Sequence, residues 1–284
     1  MIKKVLFVLI LILAGFFLIS RSINQSEYYV DSFNQLSFPE RGEIKYESSL
    51  IEKNHNYSLE KIVYESKNTK IYSHLYIPIS EKPVPALIYL PAAGATKEAL
   101  NNVASDIVSN GYAVLIIDMR GFGETTGINL PLEQEYEFYQ NGQTPQSFLF
   151  IYDALKAFDL LYNDKRIDPE KIIFTGESLG ARTAITAAAM EKRSKGAIVF
   201  STAGFNSGHP FVTLVDPENY ISQISPRRIV MFHSLDDSVV PFSATNNTFA
   251  KAKQPKELII MPAPCNHGWC FQIEDIFFKE LGKF

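Results

Sequence analysis

Gly176-Glu177-Ser178-Leu179-Gly180 stands between two stretches of opposite character. Before it comes an apolar, β-branched run, Lys171-Ile172-Ile173-Phe174-Thr175, and after it an alanine-rich segment from Ala181 to Met190. The first predicts a buried strand and the second a helix. A serine between two glycines at such a strand-to-helix turn forms a nucleophile elbow. The glycines permit a turn tight enough to lift the hydroxyl clear of the backbone. The helix that follows aims its unpaired amides at the same place, where an oxyanion would develop.

Working outward, the strand–helix alternation continues on both sides. Residues 61–64 and 71–77 predict two strands joined by a turn at 66–69, and 86–90 and 112–117 predict two buried strands. Residues 97–110 and 148–162 carry helical spacing, as does the C-terminal stretch 273–281. Three further strands are expected at 197–200, 228–232 and 257–261. This order implies an α/β fold with a mostly parallel central sheet and helices on both faces. The stretches 121–147 and 201–226 are too long for plain connections and predict a small loop cap around a substrate pocket.

A serine hydroxyl is nearly inert near neutral pH, so the elbow needs a base, and the base needs an acid to orient it. In the chain order serine, acid, histidine, the acid follows a late strand and the histidine follows the next. His233-Ser234-Leu235-Asp236-Asp237-Ser238-Val239-Val240-Pro241 closes the strand at 228–232, and Cys265-Asn266-His267-Gly268-Trp269 follows the strand at 257–261. The candidate catalytic residues are therefore Ser178, Asp237 and His267. For the oxyanion, the expected donors are the backbone N–H of Leu179 and one from the loop Pro91-Ala92-Ala93-Gly94-Ala95.

These motifs resemble the α/β-hydrolase superfamily over about residues 60–284. Asp237-Ser238-Val239-Val240-Pro241 is similar to its Asp-x-x-Val-Pro acid loop, which selects Asp237 over Asp236. Asp118-Met119-Arg120-Gly121-Phe122-Gly123-Glu124-Thr125 is similar to its Asp-x-Arg-Gly-x-Gly-x-Ser loop, with threonine last, which implies bracing roles for Asp118 and Arg120. Where the family has His-Gly-x, this chain has Pro91-Ala92-Ala93, and the alignment makes Ala93 the second oxyanion donor. Residues 164–171 resemble the dienelactone-hydrolase and prolyl-oligopeptidase branches.

The resemblance implies a serine hydrolase that cleaves carboxylic esters through an acyl-enzyme. A serine peptidase or aminoacyl amidase, and a non-catalytic binding protein of the same fold, are the alternatives. No metal and no organic cofactor is expected. His233 is expected to hydrogen-bond structurally, and His55 and His74 to lie on the surface or in packing. His209 is a candidate pocket residue. Phe122, Phe205, Phe211 and Trp269 are candidates either for an apolar acyl pocket or for ordinary core.

Composition bounds the rest. With 284 residues, 46% hydrophobic content and a formal charge of −4, the chain can build a full core and lacks the basic surface of a nucleic-acid binder. Lys3 and Lys4 precede an unbroken apolar run from Val5 to Ile19. At about 1.5 Å per residue it falls short of the ~30 Å hydrocarbon thickness, so residues 1–22 predict a signal peptide or signal anchor. Either implies an exported domain, with membrane association through residues 5–19 if the segment is kept. Residues 23–59 show no clear periodicity and are expected to be a lead-in to the catalytic domain at 60–284. Cys265 and Cys270 bracket His267 and are compatible with a disulfide or with two free thiols, while the spacing gives little support to zinc.

Overall fold

The computed structural model describes residues 27–284, so the expected leader lies outside the described residues. No helix among the described residues is long and apolar enough to cross a membrane. A short hairpin, β1 (Tyr29–Val30) and β2 (Leu36–Ser37), precedes the main sheet. That sheet contains β3 (Tyr46–Lys53), β4 (Tyr57–Ser66), β5 (Thr69–Pro78), β6 (Val84–Leu90), β7 (Ala113–Ile117), β8 (Ile167–Glu177), β9 (Gly196–Phe200), β10 (Arg228–Ser234) and β11 (Lys256–Met261). The helices are α1 (Asn101–Ser109), α2 (Leu132–Gln140), α3 (Gln146–Tyr162), α4 (Leu179–Met190), α5 (Pro210–Thr213), α6 (Phe242–Lys251) and α7 (Glu274–Leu281).

The sheet runs β11-β10-β9-β8-β6-β7-β5-β4-β3. From β7 to β11 its pairs are parallel, while β3, β4 and β5 form an antiparallel flank that joins through β5 to β7. This is the α/β-hydrolase architecture. The central strands read as continuous apolar runs because both of their faces are covered. In β6, Ala86, Ile88 and Leu90 enter one core with α3 and α4, and Leu87 and Tyr89 enter the other with α1 and α7. In β7 the same alternation sends Leu115 one way and Val114 and Ile116 the other.

Two features depart from the sequence expectations. Residues 46–53, read there as aperiodic lead-in, form an eight-residue edge strand. Every residue of it is exposed, so it carries no hydrophobic alternation to betray it. The cap is also partly helical: α2 lies within 121–147 and α5 within 201–226. The two insertions meet through aromatic rings, Tyr136 against His209 at 4.6 Å and Tyr139 against Phe211 at 5.6 Å between centroids.

Candidate active site

The elbow is forced into shape by the close approach of β6. Leu90 is paired with Gly176 across the parallel ladder. A Cβ on Gly176 would come within 2.6 Å of the Leu90 carbonyl oxygen. On Gly180 it would come within 2.0 Å of the same oxygen and 2.4 Å of the Pro91 oxygen. Only hydrogen fits at either place. Between them Ser178 takes φ 50° and ψ −113°, a strained conformation for a residue with a side chain, and directly precedes the first turn of α4. The turn is tied down: Ser178 N–H donates to the Phe200 carbonyl at 3.1 Å, and Thr202 Oγ1 donates to the Ser178 carbonyl at 3.1 Å.

At the ends of β10 and β11 the acid and the histidine meet. His267 Nδ1 lies 2.8 Å from Asp237 Oδ2 and 3.0 Å from Oδ1. Asp237 Oδ1 also accepts the N–H groups of Val239 and Val240, both at 2.8 Å. Burial opposes ionisation of Asp237, but the Val240 amide, the His267 ring and the Val239 amide together hold its carboxyl below the usual carboxylate range. The neighbouring Asp236 plays a different part, accepting the Ser234 hydroxyl and the Asn266 N–H. It is Asp237 that faces the imidazole.

His233 is fully buried, with Nε2 2.9 Å from the Val240 carbonyl and Nδ1 3.0 Å from Thr245 Oγ1. Burial lowers its pKa, leaving a neutral ring that pins the acid loop.

The loop carrying His267 is fastened to the elbow. A disulfide joins Cys265 to Cys270. Gly268 N–H donates to Ser201 Oγ at 2.8 Å, and Ser201 follows Phe200, which holds Ser178. Glu177, directly before Ser178, accepts the Tyr89 hydroxyl and the Trp269 N–H. Burial pushes the Glu177 carboxyl up, countered by those two donors and by the nearby His267 ring. Among the described residues Ser178 Oγ and His267 Nε2 form no hydrogen bond; in unliganded hydrolases this contact often tightens only when substrate is bound.

Of the expected oxyanion donors, Leu179 opens α4 at its N-terminus. Ala93 lies in the exposed turn after β6, closed by Ala95 N–H donating to the Ala92 carbonyl at 3.0 Å. Asp118 and Arg120 brace the neighbouring structure. Asp118 accepts the N–H groups of Lys97 and Glu124, and Arg120 grips Asp153 with Nε at 2.7 Å and Nη2 at 2.9 Å.

Phe205 and Phe211 line a cavity beside Leu179. Phe122 packs against the larger core cluster, and Trp269 stacks edge-on against Phe277 at 4.9 Å. His209 accepts the Phe211 N–H within the cap, and His55 is exposed. Nothing in the sequence marks Ser201, whose part depends on a contact with Gly268, 67 residues away.

An elbow serine at the carboxyl end of a parallel strand, with a carboxylate–imidazole pair in the loops after two later strands, fits a hydrolase of the α/β-hydrolase superfamily. Residues 81–230 match the Hydrolase_4 family model, described as serine aminopeptidase S33, and the chain belongs to that family. It is 22% identical over 222 residues to protein YfhR of Escherichia coli K12, covering 72% of each chain. It is 26% identical over 161 residues to the quorum-quenching protein AidA of Acinetobacter baumannii, covering 55% of this chain and 47% of that one. Among solved structures, an acetyl xylan esterase from Paenibacillus sp. R4 superposes with a TM-score of 0.71 at 18% identity, covering 86% of this chain and 90% of that one.

Proposed function

We propose that this hydrolase is a serine esterase acting through an acyl-enzyme. Ser178 Oγ attacks the ester carbonyl while its proton passes to His267 Nε2. The Leu179 and Ala93 N–H groups receive the oxyanion, and the imidazolium returns the proton to the departing alcohol. Water then repeats the sequence against the acyl-enzyme and frees Ser178. Asp237, bonded to Nδ1, fixes the tautomer that leaves Nε2 available to the serine.

The observation that carries this reading is the 2.8 Å His267–Asp237 pair on a loop fastened to the elbow. The family's description brings an aminoacyl amide forward as the rival substrate. Such a substrate needs a carboxylate free to hold its ammonium group. Among the described residues that wall the cavity beside Leu179, the one carboxyl is Glu135, already engaged by the Ser147 N–H at 3.1 Å and the Ser147 hydroxyl. Burial also raises its pKa, despite those donors. The ester is favoured on that ground. The disulfide and the apolar run at 5–19 together support a catalytic domain exported from the cytoplasm.

The test is a panel of aryl esters and aminoacyl arylamides, with a fluorophosphonate probe, on the wild type and Ser178→Ala. The wild type should turn over esters in preference to amides and take the label. Ser178→Ala should do neither while unfolding at the same temperature. Undiminished turnover by Ser178→Ala would overturn the reading.

A further inference from the structure

We infer that the site selects an apolar acyl chain of intermediate length rather than acetyl; the inference rests on the esterase reading and specifies its substrate. A cavity of about 240 Å³ opens beside the first residue of α4. Leu179, Phe150, Phe211 and Val215 line it, and the exposed Leu132 and Phe205 form its outer lip. Leu179 is bonded to Ser178, so the cavity lies one residue from the nucleophile and within reach of a chain attached at Oγ.

Phe205 is held in place from the same helix. The Arg182 guanidinium, one turn beyond Ser178, lies 4.3 Å from the Phe205 ring centroid, and its Nε donates to the Ala203 carbonyl at 2.8 Å. The cap aromatics brace the far side, Phe211 stacking on Phe148 at 5.7 Å. The cavity is thus a walled pocket within one helical turn of the elbow. A larger cleft, of about 850 Å³, is bordered by the paired charges Arg41, Asp159 and Arg193 and does not touch the elbow.

Size and polarity select the occupant. A water takes about 30 Å³ of liquid volume, so the pocket has room for roughly eight. An acetyl methyl would leave most of that space unfilled, whereas a hydrocarbon tail of about four to eight carbons would fill it. Each methylene moved from water into such a wall adds about 0.8 kcal/mol of attraction, close to fourfold in kcat/KM. A much longer chain must leave past the lip formed by Leu132 and Phe205 and gains nothing more.

The experiment measures kcat/KM for p-nitrophenyl acetate, butyrate, hexanoate, octanoate and laurate, each below its aggregation concentration. The enzymes compared are the full-length wild type, Leu132→Trp and Phe205→Ala. Both positions are partly exposed, at 40% and 36%, so the fold tolerates the changes. The wild type should favour hexanoate or octanoate over acetate by tenfold or more and fall again at laurate. Leu132→Trp should cut the hexanoate-to-acetate ratio at least fivefold, and Phe205→Ala should shift the optimum to longer chains. Turnover that favours acetate, or an optimum unmoved in both variants, overturns the pocket and leaves the esterase standing. Failure to cleave any ester by folded wild type overturns both.

Discussion

The carboxyl of Glu177 occupies the space where a side chain on Gly268 would go. A Cβ built on Gly268 would lie 2.6 Å from Glu177 Oε2. One of these residues precedes the elbow serine and the other follows the candidate base. With Trp269 N–H donating to the same carboxyl, Glu177 holds the loop that carries His267. Gly268 also holds φ +84°, where an added side chain costs about 1–2 kcal/mol. Gly268→Ala and Glu177→Ala should therefore each lower kcat by roughly ten- to a hundredfold, since a displacement near 1 Å at the reacting groups is enough for such losses. KM for a short ester should change by less than about threefold. Steady-state kinetics check this, and an effect on KM with kcat intact would contradict the positioning role.

The two elbow glycines lead to a stability prediction rather than a kinetic one. Gly180→Ala places a methyl 2.0 Å from the Leu90 carbonyl oxygen, and neither β6 nor α4 can retreat without losing its packing. The loss in unfolding free energy should be about 3 kcal/mol or more. Gly142, by contrast, has positive φ, at +70°, with open space around it, so Gly142→Ala carries only the backbone cost of about 1–2 kcal/mol. Urea denaturation of the two variants side by side should show that difference.

How far the sequence reveals this structure depends on where each signal is stored. β6 and β7 are legible because burial on both faces leaves unbroken apolar runs, and the elbow because its glycines answer a local steric demand. Asp237 and His267 are legible because chain order places them at the ends of β10 and β11. The strand β3 is not, since with both faces in water it has no pattern to read. Helix α2, Leu-Glu-Gln-Glu-Tyr-Glu-Phe-Tyr-Gln, hides for a similar reason: of its side chains only Glu135 is buried. The fastening of Gly268 by Ser201 and Glu177 is purely tertiary, and neither residue type announces it.

The Cys265–Cys270 bridge closes a loop of about six residues around His267, with a sequence separation of 5. Closing so small a loop stabilises the fold by about 2 kcal/mol on chain-entropy grounds. Replacing both cysteines by serine should lower the melting temperature by about 4–8 °C. It should also reduce kcat by about tenfold, because the loop carrying the imidazole loses its covalent tether. Dithiothreitol acting on the wild type should reproduce the kinetic defect, and melting curves with ester assays in both redox states measure it. Unchanged kcat in the double variant would show that the hydrogen bonds to Ser201, Glu177, Asp236 and Asp237 hold the loop without the bridge.

Lys97 connects the loop after β6 to the sheet through a cluster with a definite pH signature. Its fully buried ammonium lies 2.7 Å from Asp118, itself fully buried, and 2.8 Å from both Glu98 and Glu124. Burial works against the charge, but the three carboxylates overcome it and raise the Lys97 pKa above the ordinary lysine value. Glu98 shifts the other way: burial resists, yet the Lys97 ammonium and the Thr96 side chain bring its pKa down to about 2. A raised lysine contributes stability fully present below about pH 10.4 and lost as pH climbs through its folded value. A lowered carboxyl contributes stability present above about pH 4.3 and lost as pH falls towards 2. Stability should therefore hold between about pH 5 and 10 and decline outside that window. Lys97→Met removes the ammonium and strands the Asp118 carboxylate, which costs about 3–5 kcal/mol at neutral pH. With Glu98 released from its partner, the variant should lose less stability than the wild type between pH 5 and 2.5. Urea melts across that range measure the slope, and an acid limb as steep in Lys97→Met as in the wild type would assign the acid sensitivity to other carboxylates.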